Sequence, residues 1–282
     1  MNARTLVLAA LTALVLVPAA YVFLADRGLS ATIADVEQRV ATRARAAETK
    51  WSGAGSTDLP APVRAYFAFV FPNGVPAHDY VEIDMAGRFR RPLTETFSDI
   101  TARQVISLRA PDLVFSARVP VFGPVWATAY DIYIGGEMEM AARLLSTVTV
   151  MEETSTPALD RTSLRRWLLE SPAYPMALLP GGPVTWEPID DRHARAIVSA
   201  HGLTAALIAT FDARGALVRF DAEADGDLDT PYHGSGEHTA RSDYRLVDGV
   251  RIPFSFTIAR AAGGEKFPFW EGRVTDIRFG GR

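Results

Sequence analysis

The spacing of hydrophobic positions changes several times along this chain, and each change predicts a different element. From Thr5 to Ala25 no period exists: TLVLAALTALVLVPAAYVFLA is apolar throughout, bounded by Arg4 and Asp26. Wound as a helix at ~1.5 Å per residue, a run of about 20 residues crosses a ~30 Å hydrocarbon core. Secretory h-regions are shorter, about 7–15 residues. Residues 1–28 are therefore expected to form an uncleaved signal anchor, a transmembrane helix. A signal peptide cut near Gly28-Leu29-Ser30 is the alternative. Four arginines, Arg27, Arg39, Arg43 and Arg45, follow the span and only Arg4 precedes it. Long domains translocate largely regardless of flanking charge. The domain beyond is expected outside the cytoplasm, on the inner membrane, or free in the periplasm after cleavage.

A helical period starts next. Ile33, Val36 and Val40 form a narrow seam at i, i+3, i+7 in a charged stretch, residues 31–50. A stalk continuing the anchor fits this better than a dimerisation stripe. Ser52–Asp58 is a linker by composition. Residues 29–58 are thus read as helical stalk and linker, and 59–282 as the domain proper. In that domain, Pro60 and Pro62 suit a helix start, and Val63, Tyr66, Phe67 and Val70 line one face of a helix that stops before Pro72-Asn73-Gly74.

From residue 78 the period becomes two. Val81, Ile83, Met85 and Phe89 alternate with Glu82, Asp84, Arg88 and Arg90. Leu113–Val119 and Met138–Leu144 alternate likewise, as half-buried antiparallel strands do. One helix interrupts them, with Leu164, Trp167 and Leu168 inward and Pro172 closing it. The Tyr174–Pro183 stretch, broken by proline and glycine, reads as a packed loop. Strands then return between turn signals at Asp190-Asp191, His201-Gly202, Asp212–Gly215, Asp248-Gly249 and Gly263-Gly264. Pro253 places its strand at an edge or a strand start. About a dozen strands and few helices predict an α+β, mainly antiparallel fold: a large curled sheet, or half-barrel, with helices on the concave face.

Composition narrows the function classes. The net charge is −4, so there is no basic footprint and no nucleic-acid partner is expected. The absence of cysteine removes disulfides, thiolate metal sites and a lipoprotein anchor together. Arginine outnumbers lysine 27 to 2, which reads as coding bias because the arginines are scattered among acids.

Three motifs fail on inspection. His233-Gly-Ser-Gly-Glu237-His238 has its histidines five apart in a glycine-rich stretch, whereas zincin pairs need i, i+4 on a helix; a solvated loop is the better reading. Asp225-Gly-Asp-Leu-Asp229 lacks the calcium loop's glycine at position 6 and glutamate at position 12. Ser235 sits outside a nucleophile elbow. No metal or cofactor is expected. What remains is a polar–aromatic set about the central helix: Gln104, Asp131, Trp167, Glu170, Tyr174 and Trp186. Glu170 lies at the helix end, where a carboxylate opposes the dipole, so burial would require donors such as Gln104 or an arginine.

Several ordered blocks resemble one bacterial family. They include Leu59-Pro-Ala-Pro-Val-Arg-Ala-Tyr66, Ala110-Pro-Asp-Leu-Val-Phe-Ser-Ala-Arg118 and Tyr130-Asp-Ile-Tyr-Ile-Gly-Gly136. Trp167-Leu-Leu-Glu170 with Tyr174–Pro180, Val184–Asp191, Phe211–Phe220 and Asp243–Pro253 complete the set. This succession, over about residues 59–279, resembles the uncharacterised DUF6544/DUF6920-like group, from which Ser171-Pro172 departs. The resemblance implies no activity. Tyr244–Pro253 with Val274–Phe279 is also similar to the LolA/LppX-type half-barrels, which curl a sheet around helices and accept acyl chains; this likeness is one of fold.

These readings predict a membrane-anchored domain that binds a lipid-like or other apolar small molecule between sheet and helix, on the Gln104, Asp131, Trp167, Glu170, Tyr174 and Trp186 set. The alternatives are a hydrolase-type enzyme with Glu170 as general acid or base, and a structural envelope interaction module.

Overall fold

The computed structural model describes residues 3–48, 51, 55–90, 94–226 and 236–281. A single 44-residue helix, α1 (Ala3–Ala46), opens the chain. It is long and apolar enough to cross a membrane, and Leu14, Leu16, Val17 and Leu24 stand exposed along it. Helix α2 (Ala61–Val70) follows with proline in its first turn, and its chain turns away at Phe71 before Pro72. Val63, Tyr66, Phe67 and Val70 are buried on its inner face, as their spacing predicts.

Among the described residues, thirteen strands then form one antiparallel sheet. They are β1 (Tyr80–Phe89), β2 (Ser98–Ser107), β3 (Leu113–Phe122), β4 (Val125–Ile134), β5 (Glu137–Leu144), β6 (Val148–Thr154), β7 (Val184–Pro188), β8 (His193–Ala200), β9 (Leu203–Phe211), β10 (Leu217–Asp221), β11 (Gly236–Val247), β12 (Val250–Ala262) and β13 (Glu265–Gly280). Their spatial order is 6-5-4-3-2-1-13-12-11-10-9-8-7. The two halves are meanders joined in the middle by β1 and β13, so the edges are β6 and β7, which are consecutive in sequence. Helix α3 (Pro157–Glu170) and two 3₁₀ turns, Ser171–Ala173 and Pro175–Leu178, connect one edge to the other across the inner face.

That strap and the sheet's curl go together. Laid flat, thirteen strands at ~4.8 Å spacing would separate the edges by about 60 Å, and α3 is only ~21 Å long. The β4–β5 turn accordingly meets the β8–β9 turn: a Cβ on Gly136 would lie 2.5 Å from the Cβ of His201. Gly136 also has φ +94°, so glycine is required there twice over. The core fills the concavity, with Trp167, Tyr174, Tyr66, Phe67, Phe211, Phe220 and Leu164 essentially inaccessible to solvent. Pro253 lies in an interior strand, where it pairs only with Tyr244 of β11, because pairing with β13 begins at Ser255. Its missing N–H therefore costs no ladder bond on that side.

The expected stalk is not free. Leu29, Ile33, Val36, Val40 and Ala44 of α1 are buried against the outer, convex face of the sheet. Val36 and Val40 pack on Val105 and Val114, and Leu29 and Ile33 on Tyr130 and Ala141. Arg103 of β2 fastens this packing, reaching Glu37 of α1 at 3.1 Å and Glu82 of β1 at 2.8 Å. Asp112 likewise accepts from Arg43 at 2.7 Å. The seam at 33, 36 and 40 was legible, but its partner was not, because Val105 and Val114 break the alternation of their strands. The linker residues Ser52–Ala54 lie outside the described residues.

The packing of α1 can be tested at Val40, which is fully buried. Val40→Asp places a charge in that interface and is expected to release the segment, so that trypsin cuts at Arg39, Arg43 or Arg45 much faster than in the wild type. Thr42→Asp, on the exposed side of the helix, is expected to leave cleavage unchanged.

Candidate functional site

Local sequence sets α3 in place. Thr156 caps its N-terminus by accepting from the Leu159 amide at 3.3 Å, Pro157 occupies the first turn, and Asp160 complements the dipole there. Asp160 also receives the Met138 amide at 2.9 Å, which ties the helix start to β5. Pro172 cannot continue the α-helix, so the chain tightens into a 3₁₀ turn after Glu170. The inner side of α3 is pinned by Trp167, whose Nε1 donates to the Ser107 carbonyl at 3.1 Å. Tyr174 Oη in turn donates to the Trp167 carbonyl at 2.6 Å.

Four of the six candidate positions belong directly to this network. Glu170 is buried, and both of its oxygens are occupied: Oε2 accepts from Gln104 Nε2 at 2.6 Å, and Oε1 accepts from Arg166 Nε at 2.9 Å. Trp167 and Tyr174 brace the same helix end. Asp131 joins through Arg166, which donates to it from Nη1. Trp186 does not join. It packs on Phe211 beyond the 3₁₀ turns and donates to the Leu178 carbonyl at 3.0 Å. Both Glu170 oxygens are thus taken up by donors, and the Gln104 bond ties the helix end to β2.

Sequence reading missed the other half of the cluster. Glu237, Thr239 and Arg241 alternate along β11 and are all buried on its inner face, and Arg260 lies opposite Glu237 on β12. Their signal was the period of two, but an alternating polar set reads as a solvent face. Glu237 and His238, which their glycine-rich surroundings predict in a solvated loop, are instead buried in β11, with His238 Nδ1 2.6 Å from Asp221 Oδ1. His233 and Ser235 of the same motif, and Asp227 and Asp229 of the acidic one, lie outside the described residues. Asp225 accepts from the Gly264 amide at 2.6 Å.

Burial dominates the electrostatics here. It raises Asp131 above the ordinary carboxylate range although Arg166 opposes it. It raises Glu237 as well, against the pull of Arg165, Arg166 and Arg260. Burial pulls the Arg241 guanidinium below the usual arginine value, with Glu170 opposing.

Under α3 lies a cavity of only ≈ 20 Å³. Apolar groups line it (Ile83, Met85, Phe256, Ile258, Trp270, Val274) together with Gln104, Glu170, Tyr174 and Arg241. One probe sphere of water needs about 10–15 Å³, so the wide hollow expected between sheet and helix is closed in this state by Trp167, Tyr174 and the 3₁₀ turns. Two donors on its wall, Arg241 Nε and Trp270 Nε1, have no hydrogen-bond partner. Arg241 reaches the Leu169 carbonyl from Nη2 at 3.3 Å, and its guanidinium stands over the Phe256 ring.

A single antiparallel sheet curled about a helical strap, with a polar seam beneath that strap, defines the class as an α+β half-barrel. The chain belongs to DUF6920, a family of unknown function whose model matches residues 57–279. No curated protein matches it. Among solved structures it is similar to a LolA superfamily protein from Nitrosomonas europaea, at 10% identity and TM-score 0.40, covering 78% of this chain and 93% of that one. It is similar also to a DUF1329 family protein from Desulfovibrio piger, at 11% identity and TM-score 0.40, with the same coverage. At those scores neither likeness carries a functional conclusion.

The network yields two expected outcomes. Arg166→Ala leaves Glu170 and Asp131 buried without their cation and is expected to cost about 3–5 kcal/mol in denaturant unfolding. Replacing all three residues together with uncharged ones is expected to recover most of that loss. Glu237 holds its proton more tightly in the folded protein than in the unfolded chain. Its contribution is therefore favourable at low pH and is lost as pH rises through its ordinary value of 4.5 toward the raised folded value. Glu237→Gln should be more stable than the wild type at pH 7, and thermal melts should show the difference shrinking as pH falls to about 4.

Proposed function

We propose that this chain is a membrane-tethered, extracytoplasmic half-barrel that takes an apolar, lipid-like molecule with a polar head under α3. The observation that carries the reading is one mostly apolar cavity two of whose lining residues, Arg241 and Trp270, each hold a buried donor, Nε and Nε1, without a partner. A buried donor without an acceptor costs ~1–3 kcal/mol, so two on residues that line one space favour an oxygen-bearing guest there. A few well-placed polar groups in an apolar lining are what orient such ligands. The closed form has room for about one water-sized group; admitting a head and its chain requires α3 and its 3₁₀ turns to lift from the sheet. Tethering by α1, rather than cleavage, is supported by the helix running unbroken past Gly28-Leu29-Ser30 into its packing on the sheet.

The test uses the full chain in lipid nanodiscs with a diazirine-bearing fatty acid. Photo-crosslinks are expected on peptides containing Met85, Phe256 or Trp270, to be competed by excess oleate, and to weaken several-fold in Trp270→Phe. Crosslinks confined to residues 5–25 would overturn the reading.

A further inference from the structure

The end of the half-barrel nearest the apolar part of α1 carries an exposed apolar patch that the core does not explain. Val121 and Phe122, at the tip of the β3–β4 hairpin, are 51% and 68% exposed. Val148 and Val150, on edge strand β6, are 58% and 59% exposed.

Their height along α1 follows from the contacts. Arg43 of α1 meets Asp112, just before β3, whereas Asp26 meets Arg118, six residues further along. Strand β3 therefore climbs toward the N-terminus of α1. Ser146, in the β5–β6 turn, also donates to Asp26 at 2.7 Å, which sets that turn at the same height. Phe122 is four residues beyond Arg118, up to ~13 Å further at ~3.3 Å per residue. On a helix rising ~1.5 Å per residue that is at most about nine residues above Asp26, so the tip lies between Asp26 and Val17 of the apolar run. A groove of ≈ 440 Å³ between α1 and this end, lined by Tyr21, Ala25, Tyr130, Arg143 and Thr147 among others, shows the same alignment.

We infer that the β3–β4 hairpin tip dips into the bilayer that α1 crosses, with the start of β6 at the headgroup level, so that the half-barrel docks on the membrane surface by this end. The inference rests on reading Thr5–Ala25 as a membrane span. The bilayer is the occupant because Val121 and Phe122 rise past Asp26 to the depth of residues that reading immerses in lipid, while Val148, beside the turn that Ser146 sets level with Asp26, lies at the membrane surface. The flanking groups are those favoured at an interface: the Arg118 guanidinium stands 4.6 Å over the Trp126 ring, Arg27 stands 5.5 Å over Phe23, and Tyr21 is exposed. Arginines there suit lipid phosphates, and the apolar tip suits the acyl boundary.

The chain has no cysteine, so each engineered one is unique. Full-length Leu16→Cys, Phe122→Cys and Thr42→Cys are labelled with the environment-sensitive fluorophore NBD and reconstituted in phosphatidylcholine/phosphatidylglycerol vesicles. Lipids bearing a spin label high on the acyl chain then serve as quenchers. The expected result is strong quenching at Leu16, at least half as much at Phe122, and none at Thr42, which lies ~24 Å below Asp26 along the helix. Quenching at Leu16 with Phe122 behaving like Thr42 overturns the docking while the span stands. No quenching at Leu16 removes the span and the docking together. All three positions are exposed, so none of the variants removes core packing.

Discussion

Two adjacent residues of one strand hold this molecule together across its sheet. Arg103 of β2 points outward and clamps Glu37 of α1, and Gln104 points inward and holds Glu170 of α3. The alternation of a strand makes this possible, since neighbouring side chains emerge on opposite faces. Helix α1 on the convex side and helix α3 in the concavity thus share a single abutment. The shared strand lies next to β1, which β13 joins to the other half of the sheet. A displacement of either helix is therefore felt at the middle of the fold rather than at an edge.

The inner network is a compromise between closure and charge. A sheet this wide cannot cover its own concave face, and the connection from β6 to β7 supplies the cover. Leu164, Trp167, Leu168 and Tyr174 contribute apolar area, worth roughly 1.5–3 kcal/mol for each large side chain fully buried. The same segment brings in Arg166 and Glu170, which are costly to bury unless each finds a partner. Asp131 and Gln104 provide those partners from two different strands, and this fixes the rotation of α3 about its axis. An all-apolar helix would pack as tightly but could turn. On the β11 side the satisfaction is incomplete: Glu237 Oε2, Thr239 Oγ1 and Arg241 Nε have no partner. The polar seam is thus well bonded toward β2 and β4 and under-bonded toward β11, so the β11 side is where the strap is less firmly held.

The sequence made some levels of this structure readable and concealed others for physical reasons. Local signals were reliable. Pro60 and Pro62 started α2, Pro172 ended α3, the five turn signals fell between strands, and Val81, Ile83 and Met85 faced the core. The central polar set emerged because Glu170 at a helix C-terminus conflicts with the dipole and needs an explanation. Trp186 was drawn in by its residue type alone, and the structure places it elsewhere. What stayed hidden depends on which face of a strand is buried. Where the concave face is polar, as at Glu237, Thr239 and Arg241, alternation gives the right strand and the wrong exposure. Where the convex face is covered by a helix, as at Val105 and Val114, the alternation itself is erased.

The position of α1 changes what the N-terminal segment means. A free stalk would leave the domain tumbling at some distance from the bilayer, with its orientation set by chance. A helix buttressed over Leu29–Ala44 and tied by Asp26–Arg118 at one end and Arg43–Asp112 at the other behaves as part of the domain. Each half-buried ion pair contributes modestly alone, but together with five buried apolar side chains they define one relative orientation. On the proposed membrane span, a helix so fixed imposes its tilt on the sheet, and the β3–β4 tip is carried toward the membrane with the start of β6 at its surface. An edge strand open to water on both sides invites pairing with another chain. On that proposal the start of β6 sits at the headgroup level, where water still serves its open backbone groups and the lipid surface limits the approach of another chain.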